Sequence, residues 1–204
     1  MEPIRLLVFG AALKLIYLTG APASGKSSTL KKLQEAEHSL FYFEYGAELT
    51  SYVKAKGAPI ANQQELRAQS SDIVTPEHVD ALDRMLLDKV RELRGKRPIV
   101  IDSHSVTKES YGYRITSFSE KQIKELNPDE IWFFYTAPQA ALDRIEQSSA
   151  GRPMISAEEA RMHTLTQASI TSAYGIMANA PVYLFDTNRD QDELVRTLRE
   201  RIVK

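Results

Sequence analysis

The chain has 204 residues, with 26 Lys and Arg against 27 Asp and Glu, a formal net charge of -1 and no cysteine. That length holds a sizeable core in one domain and leaves little room for a second. The charge balance gives no strong nucleic-acid or membrane-surface signal, and the missing cysteines exclude disulfides, thiolate nucleophiles and cysteine metal ligands.

The first stretch, "MEPIRLLVFGAALKLIYLTG", clusters apolar residues behind Arg5 like a signal sequence. Lys14 interrupts the run, and Ile16 to Leu18 are needed as the strand that follows, so we expect an untargeted, cytoplasmic protein. No run approaches the roughly 18 apolar residues of a membrane span. Residues 1–13 are read as an N-terminal extension or an extra strand, and 14–204 as a single domain.

Short apolar runs then recur at Leu15–Leu18, Leu40–Phe43, Ile99–Ile101, Ile131–Tyr135 and Val182–Phe185. Helical patterns separate them at Lys26–Ala36, Pro76–Leu93, Ala137–Gln147, Ala157–Met177 and Gln191–Val203. Thr75 before Pro76 reads as an N-cap with proline at the first helical position, and Ser156 with Glu159 three residues on reads as a capping box. The alternation predicts an α/β fold with a parallel sheet covered on both faces and right-handed crossovers. Two segments break it: about 46–71, with a helical start and too long for a plain crossover, and about 147–155, a small polar loop carrying Arg152. Both are expected to act as mobile elements on a rigid scaffold.

The strongest signal is "GAPASGKSS". Gly20, Gly25, Lys26 and Ser27 satisfy G-x-x-x-x-G-K-[ST] where a strand ends and a helix begins. Glycines let the backbone approach anionic oxygens, successive N–H groups cradle them, and the helix points its positive end at them. The nucleotide contacts are therefore expected from Gly20, Ala21, Pro22, Ala23, Ser24, Gly25, Lys26, Ser27 and Ser28, with Lys26 on the β and γ phosphates of ATP and the Ser27 hydroxyl on Mg²⁺. Asp102, ending "RPIVID" at a strand's carboxyl end, is the expected second group on the metal side. Ser103 follows it where motor ATPases place a water-polarising glutamate, and the chain lacks a guanine-reading motif. Both points favour transfer to an acceptor over hydrolysis. Such transfer needs cations near the moving phosphate, and Arg144 and Arg152 flank the small polar loop, with Arg161 beyond.

"YLTGAPASGKSS", "YFEYGAELTSYVKAKG", "VIDSHSVTKESYGY" and "LNPDEIWFFYTAP" occur in the order and spacing of the archaeal-type adenylate kinases, and from Lys14 onward the chain resembles that family of P-loop nucleoside monophosphate kinases. The resemblance implies a three-layer P-loop kinase fold with a central five-stranded parallel sheet, an acceptor-binding helical insertion and a short lid. It implies phosphoryl exchange between MgATP and a nucleoside monophosphate, AMP by default, and by analogy a homo-oligomer. It places Gly46, Glu48 and Ser51 at the acceptor pocket, Arg67 on the acceptor phosphate, and His104 after the strand-three aspartate, with Lys108 and Tyr113 bordering the pocket. Two departures stand out: the family's arginine-rich lid is reduced to "AGRPM", and the long helix, in "HTLTQASIT", keeps His163 but carries Gln167 and no arginine. The alternatives are a kinase of another small acceptor, such as a sugar, an acid or an RNA end, and an ATP-binding regulatory protein with little turnover.

Overall fold

The computed structural model describes residues 13–148 and 154–203. Residues 1–12, most of the proposed lid and Arg152 lie outside the described residues.

The buried run Leu15–Gly20 forms β1, and the phosphate-loop sequence leads from it into α1 (Lys26–Ala36). β2 (Phe41–Glu44) passes directly into α2 (Tyr45–Ala55), followed by α3 (Gln63–Ala68) and α4 (Ser70–Ile73). α5 (Pro76–Leu93) starts as read: Thr75 Oγ1 accepts from His78 N, and Pro76 occupies the first turn where its missing N–H costs nothing. β3 (Ile99–Asp102) is followed by an antiparallel hairpin, β4 (Val106–Glu109) and β5 (Gly112–Ile115), and by α6 (Glu120–Leu126). β6 (Glu130–Tyr135), α7 (Pro138–Gln147), α8 (Ala157–Ala178), β7 (Val182–Asp186) and α9 (Gln191–Ile202) complete the order. The capping box at α8 forms as its spacing implies, with Ser156 Oγ accepting from Glu159 N and Glu159 Oε2 accepting from Ser156 N.

Five strands make one parallel sheet in the order β2-β3-β1-β6-β7. Alternation along the strands divides the core in two. Leu15, Tyr17, Ile99, Ile101 and Ile131 face α5, α6 and α8; Ile16, Leu18, Val100, Trp132 and Phe134 face α1 and α9. This is the three-layer α/β arrangement that the periodicity implied, with strands apolar on both faces because both are covered. A small separate core of Val53, Ile60 and Leu66 holds the helices between β2 and α5 together. At the base of the sheet, buried Glu130 accepts from Lys14, Arg201 and the Trp132 indole, tying the start of β1 to β6 and α9.

The hairpin and α6 have no counterpart among the elements read from periodicity. Strands of four residues are too short for alternation to show, and the hairpin packs on α8 outside the main sheet.

Candidate active site

Gly20 closes β1 so near to β6 that a Cβ there would stand 2.3 Å from the Phe134 carbonyl oxygen. Gly25 has φ +79°, a left-handed conformation that its missing Cβ allows at little cost. Ala23 adopts φ +58° as well, which for a residue with a side chain costs about 1 kcal/mol and must be held by its surroundings. One holder is Arg144: its Nη1 donates to the Ala23 carbonyl oxygen (3.0 Å) and to Thr187 Oγ1 (3.3 Å), and its Nη2 donates to the Thr187 carbonyl oxygen (3.3 Å). Arg144 thus braces the phosphate loop from α7 and links it to the segment after β7. Lys26 Nζ donates to the Gly20 carbonyl oxygen at 2.8 Å, which folds the lysine back along its own loop. Ser27 and Ser28 are exposed on the first turn of α1, whereas Ser24 and Ala21 are buried beneath the loop and Pro22 is half-buried.

Asp102 ends β3 in register with Leu18 of β1 and Glu44 of β2. Burial pushes its carboxyl above the ordinary range and the neighbouring Glu44 carboxylate adds to that; Lys26, the Tyr42 hydroxyl and Arg67 pull the other way. Tyr42 donates to Asp102 Oδ2 at 3.2 Å. The structure therefore brings Lys26 of the phosphate loop and Arg67 of α3 each within electrostatic range of Asp102 at the end of β3. A serine hydroxyl with one carboxylate is a hard, sparse donor set that suits a cation keeping several waters and completed by phosphate oxygens. Among the described residues no group of three or more His, Asp or Glu side chains forms a metal cage.

Gly46 lies on the first turn of α2, and its carbonyl oxygen accepts from Thr50 Oγ1. Gln63 of α3 reaches over it to donate to Glu44 Oε1 at 3.2 Å. Glu48 and Ser51 are exposed one turn apart on α2. His104 is exposed two residues past Asp102. Lys108 is drawn to α8: it pairs with Glu159 at 3.0 Å and sits 5.1 Å from the Tyr113 ring centre, while Tyr113 donates to the Glu159 carbonyl oxygen. The Ser156 backbone N–H and Lys108 hold the Glu159 carboxyl down at about 2. Tyr42, Glu44 and Gln63 were not among the expected site residues. For Glu44 a signal existed, since a carboxylate ends the second strand just as Asp102 ends the third.

No helix among the described residues is long and apolar enough to cross a membrane. A protein-family model described as an AAA domain matches residues 19–161, more than half of the chain. The chain is similar to adenylate kinase of Pyrococcus abyssi (24% identical over 190 residues, covering 91% of this chain and 93% of that protein). Adenylate kinase of Methanococcus vannielii is 23% identical over 195 residues, covering 91% and 98%. Among solved structures, shikimate kinase from Acinetobacter baumannii in complex with shikimate superposes with a TM-score of 0.52 at 15% identity, covering 93% of both chains, a likeness of fold. With the phosphate loop built as described, the chain belongs to the AAA-domain family and is a P-loop kinase whose full-length relatives are archaeal adenylate kinases.

Proposed function

We propose that the protein is an ATP- and Mg²⁺-dependent nucleoside monophosphate kinase that moves the γ-phosphate of ATP to an acceptor phosphate, with AMP the first candidate. The observation that supports this reading is Asp102 at the carboxyl end of β3, beside β1 and the phosphate loop that leaves it, with Lys26 and Arg67 both acting electrostatically on its carboxyl.

Each residue has a task that follows from its position. The loop's N–H groups and Lys26 hold the β and γ phosphates; on binding, Lys26 exchanges the Gly20 carbonyl for a phosphate oxygen. Ser27 and Asp102 would hold Mg²⁺, which when bound neutralises charge on the β and γ oxygens. Arg67 holds the acceptor's phosphate in line, and fixing two reactants this way replaces a bimolecular encounter. Arg144 keeps Ala23 in its left-handed conformation so that the loop is formed before nucleotide arrives. Arg152 is assigned to the moving phosphate on the sequence argument alone.

One observation favours a second reading. Glu44 places a carboxylate beside Asp102, where it would accept a hydrogen bond from a hydroxyl and repel a phosphate; a sugar or hydroxy-acid acceptor fits that group better. A coupled assay with ATP, Mg²⁺ and panels of monophosphates and hydroxyl acceptors separates the two. ADP release dependent on AMP or another monophosphate is expected. Tight ATP binding with no ADP release for any monophosphate would overturn the reading.

A further inference from the structure

α8 turns a polar face to the sheet. Its buried residues include His163, Gln167, Thr171 and Tyr174, spaced by three or four so that they share one side of the helix. Hydrogen bonds from His163, Gln167 and Tyr174 converge on the chain just past β3, while Thr171 Oγ1 donates within the helix to the Gln167 carbonyl oxygen. Gln167 Oε1 accepts from Ser105 N and from Val106 N, at 3.1 Å each. His163 Nε2–H donates to the Val106 carbonyl oxygen at 3.1 Å, and the hydroxyls of Tyr174 and Ser105 lie 2.9 Å apart. Gln167 is fully buried. Both its partners are N–H donors, so the atom facing them is the amide oxygen, and Nε2 has no partner among the described residues.

We propose that Gln167 is a positioning residue for Asp102, acting through the turn 103–105. Two successive N–H groups aimed at one oxygen fix the direction in which the chain leaves β3. With Ser103 N bonded to the Leu18 carbonyl oxygen at one end of the turn and Gln167 at the other, the backbone that follows Asp102 is fastened at both ends, and the direction of its carboxylate, which feels the charge of Lys26, is fixed with it. The amide nitrogen contributes nothing to this, so any side chain of the same length with an oxygen at its tip can take the role. The inference rests on the reading of Asp102 as the carboxylate on the Mg²⁺ side of the nucleotide, and is independent of which acceptor is used.

The experiment measures ATP affinity by calorimetry with and without Mg²⁺, in the wild-type chain, Gln167→Met and Gln167→Glu. Methionine keeps the volume and removes the acceptor; glutamate keeps the oxygen. The tightening of ATP binding by Mg²⁺ should fall about tenfold in Gln167→Met and survive in Gln167→Glu, while affinity without Mg²⁺ stays near wild type in both. A role confined to stability would lower the melting temperature of Gln167→Met and leave the Mg²⁺ gain intact, which overturns the proposal. If Gln167→Met does not fold, Gln167→Glu decides: a Mg²⁺ gain within about twofold of wild type supports the assignment, and its loss overturns it. Acceptor-dependent turnover is followed in parallel. Its absence in a wild-type chain that shows the expected Mg²⁺ pattern overturns the kinase reading alone and leaves Gln167 supported.

Discussion

Lys26 and His163 each govern, as single side chains, a property that can be measured. Lys26→Ala removes the one cation built into the loop. Saturating ATP should raise the melting temperature of the wild-type chain, since a ligand at 100 times its Kd contributes about 2.7 kcal/mol, and should leave the variant's unchanged; an equal rise in both would refute the loop assignment. His163 is buried, and burial, together with Lys26 and Lys108, pushes its imidazole down to about 4 from an ordinary 6.5, against a smaller upward pull from the Val106 carbonyl. Between those values the folded chain binds fewer protons at this group than the unfolded chain, so the group's contribution to stability grows as pH rises through the window and is lost on acidification. The loss amounts to about 3 kcal/mol between pH 6.5 and 4. Asp83 and Asp102, pushed up by burial, work in the opposite sense, so the measurement is a difference. The pH dependence of denaturant midpoints in His163→Gln should be flatter than wild type on the acid side. The places of Gly20, Gly25, Lys26 and Ser27 at the turn from β1 into α1, and of Asp102 at the end of β3, were legible in the sequence, because spacing and strand ends announce them. The bracing role of Arg144, the left-handed Ala23 and the Tyr42 contact to Asp102 were not, since each depends on chain segments brought together only by folding.

Among the elements, the helices with strong caps were readable nearly to the residue at their starts: α5 and α8 begin at Pro76 and Ala157, where Thr75 and Ser156 announce them. Ser156→Ala should cost about 1 kcal/mol in chemical unfolding with an unchanged denaturant slope. A loss larger than that would mean the cap also steadies the segment before it. The hairpin was illegible for a different reason. Its strands are held by Lys108 to Glu159 and by Tyr113 to the Glu159 carbonyl, contacts to a helix about 50 residues away in the chain, and only Val106 of β4 is buried. α8 itself misleads a reading based on apolar spacing, because the residues it buries near the site are polar. There the helix is fastened by directional bonds, and the apolar contacts lie further along at Tyr174 and Gly175.

Over the whole molecule, the sheet separates a working edge from a stiff base. The carboxyl ends of β1, β2 and β3 carry the phosphate loop, Glu44 and Asp102; the amino ends of β1 and β6 are locked by Glu130 with Lys14, Arg201 and Trp132. Glu130→Gln keeps the shape and removes the charge, and with Lys14 and Arg201 partly exposed the cost should be about 2 kcal/mol of stability. ATP affinity should be unchanged, because the site lies at the other end of the strands; a parallel loss of both would show that base and edge are coupled. The order of the sheet has one more result. Among the described residues β7 is the outermost strand beyond β6, and Leu184, on the face of β7 opposite Tyr183 and Phe185, is 60% exposed. An apolar residue on an outermost strand offers incoming chains a template, which makes this strand the expected starting point of aggregation on gentle heating. Leu184→Lys should slow the growth of light scattering at high protein concentration while leaving catalysis untouched.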